Sequence, residues 1–160
     1  MIDILNKDLP YDVTCVFTVQ EEIGTRGAKV AAYTVKPDYA IVLETTTACD
    51  FSGNDGEKRV CELGKGCVVS YMDRGTIYDR ELYHLGFEKA KEIGVPCQTK
   101  TLVAGGNDSG AIHTSVGGIR TVALSVPCRY LHSPSCMIKK SDVQSTATLA
   151  YAMYLALAEK

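Results

Sequence analysis

Residues 11–44 read YDVTCVFTVQEEIGTRGAKVAAYTVKPDYAIVLE, and this stretch changes its local pattern twice. Its first ten residues are rich in β-branched and aromatic side chains, which is typical of a strand. Residues 24–35 predict a helix with Thr25 as its N-cap, and the letters KPD end that helix. Residues 39–44 are an almost continuous apolar run, as expected of a strand in the middle of a sheet that is covered on both faces. The order strand, helix, strand predicts an α/β fold.

The rest of the chain continues this alternation. Three further strands are predicted at residues 66–72, 97–103 and 119–127. A helix is predicted over 78–94, where Gly94 followed by Pro96 ends it. The last helix is predicted to begin with Ser141 as its cap and Gln144 in the capping-box position. Together these elements predict a three-layer α/β sandwich with a mostly parallel central sheet.

Length, charge and cysteine usage narrow the class of protein. The 160 residues suit one domain with a sizeable core, and the net charge of −2 offers no basic excess to attract nucleic acid or an anionic membrane. No apolar run reaches the length of a membrane span, and the first residues lack a signal-peptide pattern. The seven cysteines include no CxxC pair, which argues against a disulfide framework and a Cys-ligated zinc site. We therefore expect a cytoplasmic protein without nucleic-acid or membrane partners.

Polar side chains follow three of the predicted strands. Glu21 and Glu22 come after the first strand, Glu44 ends the second, and His132 follows the last. Ligands of open α/β sheets bind beyond the carboxyl ends of the strands. Two carboxylates and one imidazole suit zinc, cobalt or manganese, and a further carboxylate suits a base that acts on metal-bound water. Because such a base must lie within about 3 Å of the water, a ligand's immediate neighbour is well placed.

Each of these residues also has a plainer interpretation. Glu21 and Glu22 could be a solvated surface pair, since glutamates are rarely buried without partners. His132 could be an ordinary surface or core histidine. Glu44 is harder to explain in this way, because a charge at the end of an apolar strand is partly desolvated. The glycine-rich stretch at 105–110 lacks both the Walker lysine and the dinucleotide-binding glycine spacing, so it is weak evidence for a phosphate site.

Five motifs carry a resemblance to a known family. They are TVQEEIGTRGA (18–28), PDYAIVLETTTACD (37–50), GKGCVVSYMDRGTIYD (64–79), TLVAGGNDSGAIH (101–113) and VPCRYLHSPSC (126–136). In this order the chain resembles the glutamyl and deblocking aminopeptidases of metallopeptidase family forty-two. That group includes the tetrahedral aminopeptidases and proteins once described as cellulases. The resemblance covers nearly the whole chain.

The resemblance implies a function and a set of site residues. It implies an α/β peptidase that removes N-terminal residues from peptides with two divalent metal ions, usually zinc or cobalt. Glu21 resembles the general base, Glu22 and His132 resemble ligands of one metal, and Glu44 resembles a ligand of the other. Asp108 lies in a segment near the active site of the family but receives no chemical role. Relatives form large oligomers, so a homo-oligomer is also implied.

The chain departs from the family pattern in one respect. The family places a His-x-Asp motif, a metal-bridging aspartate and an inserted dimerisation subdomain N-terminal to the glutamate pair, and residues 1–160 contain none of them. We therefore expect the chain to be a partial catalytic domain, truncated at its N-terminus. Because stable metal sites generally need three or four protein ligands, we expect it to bind one metal ion or none and to have weak or no activity alone.

Two other functions stay open at this point. The chain could be a non-catalytic remnant that binds peptides or a partner protein, in which case Glu21→Gln would change nothing. It could also be a glycoside hydrolase, an endoglucanase, with the paired glutamates as acid and base. Adjacent glutamates do not naturally span the roughly 5 Å or more that such a pair needs, and His132 would have no role in that chemistry.

Overall fold

The computed structural model describes residues 1–159, apart from the side chains of Asp3 and Glu57. Within these residues the elements follow one another as α1 (Ile2–Leu5), α2 (Arg26–Val35), β1 (Tyr39–Thr47), a 3₁₀ turn (Gly56–Lys58), β2 (Cys67–Val69), α3 (Arg80–Glu92), β3 (Cys97–Thr99), α4 (Ser109–Ile112), β4 (Arg120–Cys128) and α5 (Lys140–Ala158). None of the helices in this described part is long and apolar enough to cross a membrane. The alternation confirms the predicted α/β class.

The four strands form one sheet in the order β1-β4-β2-β3. β1 pairs with β4 in parallel from Tyr39 opposite Arg120 to Thr47 opposite Cys128, and β2 pairs with β3 in parallel. Only the ladder between β2 and β4 is antiparallel among the described strands. The sheet is therefore mostly parallel, as predicted. β1 is an edge strand of this sheet rather than a central one, and the more buried β4 takes the central place.

The core lies on both faces of the sheet. One face packs against α3 and α5 through a cluster of fully buried side chains: Cys67, Val69, Leu82, Val122, Leu124, Leu149 and Met153. Successive strand residues point to opposite faces, so Val68 lies on the other face against Ala48 and Cys61. Each buried aliphatic side chain of this size contributes about 1.5–3 kcal/mol to the free energy of unfolding.

The strand predicted at 11–20 is not a strand. No ladder pairs these residues with another part of the described chain, and they run as an irregular segment. Phe17 and Val19 are 68% and 65% exposed. Their side chains favour a pleated surface, but a strand also needs a neighbour to accept its backbone hydrogen bonds, and none lies beside this segment among residues 1–159.

Two predicted helix caps differ from the structure. Thr25 does occupy the N-cap of α2, but its backbone is left-handed (φ 52°) and its side chain makes no capping hydrogen bond. α5 begins earlier than predicted, with Lys139 at the N-cap, so Ser141 and Gln144 lie inside the helix and form no capping box. Neither predicted cap makes a side-chain capping hydrogen bond, and the first turn of α5 is held by a tertiary contact instead.

That contact is made by Asp142 in the first turn of α5. Its side chain is 1% exposed and accepts hydrogen bonds from the backbone N–H groups of Gly64 (2.7 Å) and Gly66 (3.0 Å). A buried carboxylate needs such partners to offset its desolvation. The two bonds therefore join the start of α5 to the loop that leads into β2.

Candidate active site

Glu21 and Glu22 lie on a tight turn between the irregular segment 11–20 and α2. The carbonyl oxygen of Glu21 accepts hydrogen bonds from the backbone N–H groups of Gly24 (3.1 Å) and Thr25 (3.0 Å). Gln20 precedes the pair with a left-handed backbone (φ 61°), a conformation that is uncommon for a residue with a side chain. The turn therefore gives the two glutamates a defined backbone, although neither lies at the end of a strand.

His132 lies on a second turn, which follows β4. Tyr130 and His132 both have left-handed backbones (φ 60° and 63°). The turn is closed by mutual backbone hydrogen bonds between Arg129 and Met137 (2.9 and 3.0 Å). Arg129 is in turn held by Asp50, with Nε 2.6 Å from its Oδ1. His132 therefore lies on a loop whose base is held by the backbone bonds to Met137 and by the side chain of Asp50.

These two turns meet at Glu22 and His132. Nδ1 of His132 lies 3.9 Å from Oε2 of Glu22, and the two side chains are 67% and 74% exposed. At this distance and exposure, the pair gains little from direct attraction. Both side chains are open to a ligand from outside.

Glu44 lies on β1, opposite Ser125, with three residues of the strand still to follow it. It is partly buried, and its Oε1 accepts a hydrogen bond from the backbone N–H of Thr45 (2.8 Å). Burial is the main cause that raises the pKa of its carboxyl group, and the nearby carboxylates of Asp108 and Glu22 raise it further. The sequence prediction of a partly desolvated charge is confirmed, although Glu44 does not end its strand.

The carboxylates form one electrostatic group. Burial raises the pKa of Glu21, repulsion from Glu44, Glu22 and Asp108 raises it further, and His132 opposes the shift. The structure thus brings Glu21, Glu22, Glu44 and His132 into one region. A concentration of negative charge of this kind favours the binding of cations.

Asp108 is a member of this group to which the sequence assigned no role. It is 6% exposed, and its Oδ2 accepts a hydrogen bond of 2.6 Å from the hydroxyl of Thr18. Its Oδ1 is buried and has no hydrogen-bond partner among the described residues. The resemblance placed Asp108 near the active site, but an acid inside a glycine-rich turn does not by itself predict burial.

The side chains fit a divalent metal ion in part. Carboxylate and imidazole are ordinary ligands of zinc and cobalt, and two atoms that bind one ion at about 2.0–2.2 Å can be at most roughly 4 Å apart. The separation of Glu22 and His132 lies within that limit. Within residues 1–159, however, no three His, Cys, Asp or Glu side chains converge closely enough to hold one ion. Among the described residues, Glu22 and His132 are therefore the two donors whose separation is compatible with one shared ion.

The model for the M42 glutamyl aminopeptidases matches residues 1–149. The chain belongs to this family. The recognised motifs and the α/β fold agree with membership in M42, and M42 is a family of metallopeptidases.

Similar proteins agree with this assignment. A protein named as an aminopeptidase in Acetivibrio thermocellus is 41% identical over 145 residues, which cover 89% of this chain and 43% of that protein. The structure of an aminopeptidase from the archaeon Desulfurococcus kamchatkensis matches with a TM-score of 0.82 at 30% identity, over 84% of this chain and 39% of that one. The TET1 peptidase of Pyrococcus horikoshii, which can assemble into a tetrahedron or a large octahedral shell, matches with a TM-score of 0.73 at 35% identity, over 89% and 39%. The chain thus spans about two fifths of the length of these relatives.

Proposed function

We propose that this chain is part of a metal-dependent aminopeptidase that hydrolyses N-terminal residues from peptides. The observation that supports this best is the meeting of Glu22 and His132 at 3.9 Å, with Glu21 beside them on the same turn. In this proposal Glu22 and His132 hold one divalent ion, Glu44 contributes to a second, and Glu21 is the general base. Zinc or cobalt suits these ligands.

When bound, the metal ions supply Lewis-acid activation of the scissile carbonyl and of the attacking water. Glu21 accepts the proton of that water and passes it to the amine of the departing peptide. The surrounding carboxylates favour a cationic group, so the protonated N-terminus of a peptide is attracted to this region.

The isolated chain is proposed to be weakly active or inactive. Zinc sites of peptidases carry three protein ligands, whereas Glu22 and His132 supply two. Metal affinity and turnover of the 160 residues alone should therefore be low, with one ion bound or none. A non-catalytic remnant that binds a peptide or a partner protein is the second candidate, and the lack of three convergent donors among the described residues favours it.

A homo-oligomer, as in the Pyrococcus horikoshii peptidase, is also proposed, with the cytoplasm as its location. Large apolar side chains are exposed on the segment before Glu21 and on α2: Phe17, Val19, Val30 and Tyr33, each at least 65% exposed. Exposed apolar groups of this kind are typical of surfaces that other protein segments cover.

The deciding experiment measures release of p-nitroaniline from amino-acid p-nitroanilides in the presence of zinc or cobalt. An aminopeptidase releases it only from substrates with a free amino group, loses activity with a chelator, and loses about 10²–10⁴-fold in turnover on Glu21→Gln. N-acetylated substrates and Glu81→Gln, at an exposed glutamate of α3, are the controls. Turnover that is unaffected by both the chelator and Glu21→Gln contradicts the proposal, and peptide binding without turnover or metal uptake, unchanged in Glu21→Gln, favours the remnant.

A further inference from the structure

The segment that carries the glutamate pair has few connections to the rest of the fold. Near the pair, the carbonyl of Val19 accepts a hydrogen bond from the N–H of Gly27 (3.0 Å), and the carbonyl of Gln20 accepts one from Arg26 (3.3 Å). Both donors belong to the first turn of α2, which directly continues the turn of the glutamates. These bonds therefore hold the turn to α2, whose Ala28 and Ala32 are buried, and no ladder in the described chain joins the turn directly to the sheet.

A side-chain hydrogen bond connects the segment to a distant part of the chain. The hydroxyl of Thr18 donates to Oδ2 of Asp108 at 2.6 Å, and this links two segments that are 90 residues apart. Hydrogen bonds to an ionised carboxylate are shorter and stronger than neutral ones. We call this bond the Thr18–Asp108 tether.

Asp108 is itself held in a fixed position. Its neighbour Asn107 accepts a hydrogen bond from the N–H of Ser109 (2.8 Å) and donates one to the hydroxyl of Tyr78 (3.2 Å). Tyr78 donates in turn to the carboxylate of Asp73 (2.5 Å). Asn107, Ser109, Tyr78 and Asp73 are all at least nine-tenths buried. Asp108 therefore lies at the end of a rigid buried network.

The tether lies beside a strained residue. Gln20 has a left-handed backbone (φ 61°) and lies in the chain between the tethered Thr18 and Glu21. Such a conformation persists only when contacts on both sides hold it. Thr18 provides a contact before Gln20, and the N–H of Arg26 donates to the carbonyl of Gln20 itself.

We propose that Thr18 and Asp108 are positioning residues, whose hydrogen bond maintains the turn at Gln20 and thereby determines where the carboxylates of Glu21 and Glu22 lie. This inference rests on the roles proposed above for the two glutamates. Neither Thr18 nor Asp108 needs to contact the metal or the substrate, because each acts through the backbone of the turn.

The test compares Thr18→Val, which has the same shape without the hydroxyl, with Thr18→Ser, which keeps it. The first measurement is amide hydrogen exchange at Arg26 and Gly27, whose N–H groups bond to the segment. The second is calorimetric titration with zinc alone. Thr18→Val should speed exchange at these two amides about tenfold or more and weaken zinc binding about tenfold, whereas Thr18→Ser should behave like the parent chain. Thr114→Val, which removes a hydroxyl bonded only to nearby carbonyls, is the control.

Several outcomes would overturn the proposal. Unchanged exchange in Thr18→Val would show that the hydroxyl does not hold the turn. Exchange that rises equally at the amides of β4 would indicate a general loss of stability. Faster exchange at Arg26 and Gly27 with unchanged zinc affinity would show that the tether does not position the glutamates. If the parent chain takes up no zinc, as a site with two protein ligands allows, the exchange data by themselves decide whether the tether exists.

Discussion

Nδ1 of His132 lies 3.9 Å from Oε2 of Glu22, although the two residues come from turns near opposite ends of the chain. Each turn includes a left-handed residue that is not glycine, at Gln20 and at His132 itself. Neither turn is stabilised by a strand ladder. The approach of the two side chains therefore depends on how each turn is braced against the fold.

The first prediction concerns metal binding by this pair. Replacing His132 with alanine removes one of the two closest donors, so affinity for zinc or cobalt should fall at least tenfold, since losing even a supporting partner of a ligand costs about 10–100-fold. Calorimetric titration measures it. His84→Ala, at an exposed histidine on α3, is the matched control and should leave affinity unchanged. Equal affinities for the parent chain and His132→Ala would place the metal elsewhere.

The second prediction concerns the buried carboxylate of α5. Asp142→Asn turns an acceptor into an NH₂ group facing the N–H of Gly64 or Gly66, so the free energy of unfolding should fall by about 1–3 kcal/mol. Asp55→Asn, at a side chain that is 88% exposed and joined to Arg59 only at the surface, should change it by less than about 1 kcal/mol. Urea unfolding measures both, and similar losses for the two variants would contradict the role of Asp142.

The third prediction concerns the stability of the fold at low pH. Hydrogen bonds from Arg129 hold the pKa of Asp50 below its ordinary value, and the N–H of Leu63 contributes to this. A group whose pKa is lower in the folded state stabilises the fold above its unfolded value of about 3.9, and this contribution is lost as the pH falls through the folded value. The stability difference between the parent chain and Asp50→Asn should therefore shrink below about pH 4. Urea unfolding over a pH series checks this, and a difference independent of pH would contradict it.

The fourth prediction separates backbone strain from steric overlap. Gly66 (φ +85°) and Gly53 (φ +91°) both have left-handed backbones, so alanine is strained at either position. A Cβ at Gly66 would also overlap the carbonyl group of Pro96, whereas a Cβ at Gly53 would meet no atom within 4 Å. Gly53→Ala should lower the free energy of unfolding by about 1–2 kcal/mol. Gly66→Ala should lower it by several kcal/mol more or prevent folding. Thermal unfolding compares them, and equal losses would show that the approach to Pro96 is not close.

Much of the fold follows from local patterns. The helix predicted over 78–94 occurs as α3 (Arg80–Glu92), with Leu82, Gly86 and Ala90 buried on the face where Leu85 and Ile93 were also expected but stay partly exposed. The run 119–127 occurs as β4, since an almost wholly apolar segment is stable only when both faces are covered. The five motifs identified the family, because they occur in the family's order along nearly the whole chain.

Other features depended on contacts between distant residues. The segment 11–20 has strand-forming side chains but no strand beside it in the described part of the chain, because pairing depends on a neighbour rather than on propensity. α5 begins at Lys140, and Asp142 joins its first turn to the loop before β2. Asp108 is buried because its turn is joined to Tyr78 and Thr18.

The sequence by itself therefore determined the α/β class, the family and the residue types of the site. Local periodicity and motif order depend on neighbours within a few positions, and these are visible in the chain. Only the tertiary structure decided that Glu22 and His132 approach each other, that Glu44 lies within an edge strand, and that Asp108 joins the group. Distance, burial and charge coupling arise when separate segments pack together, and no local pattern encodes them.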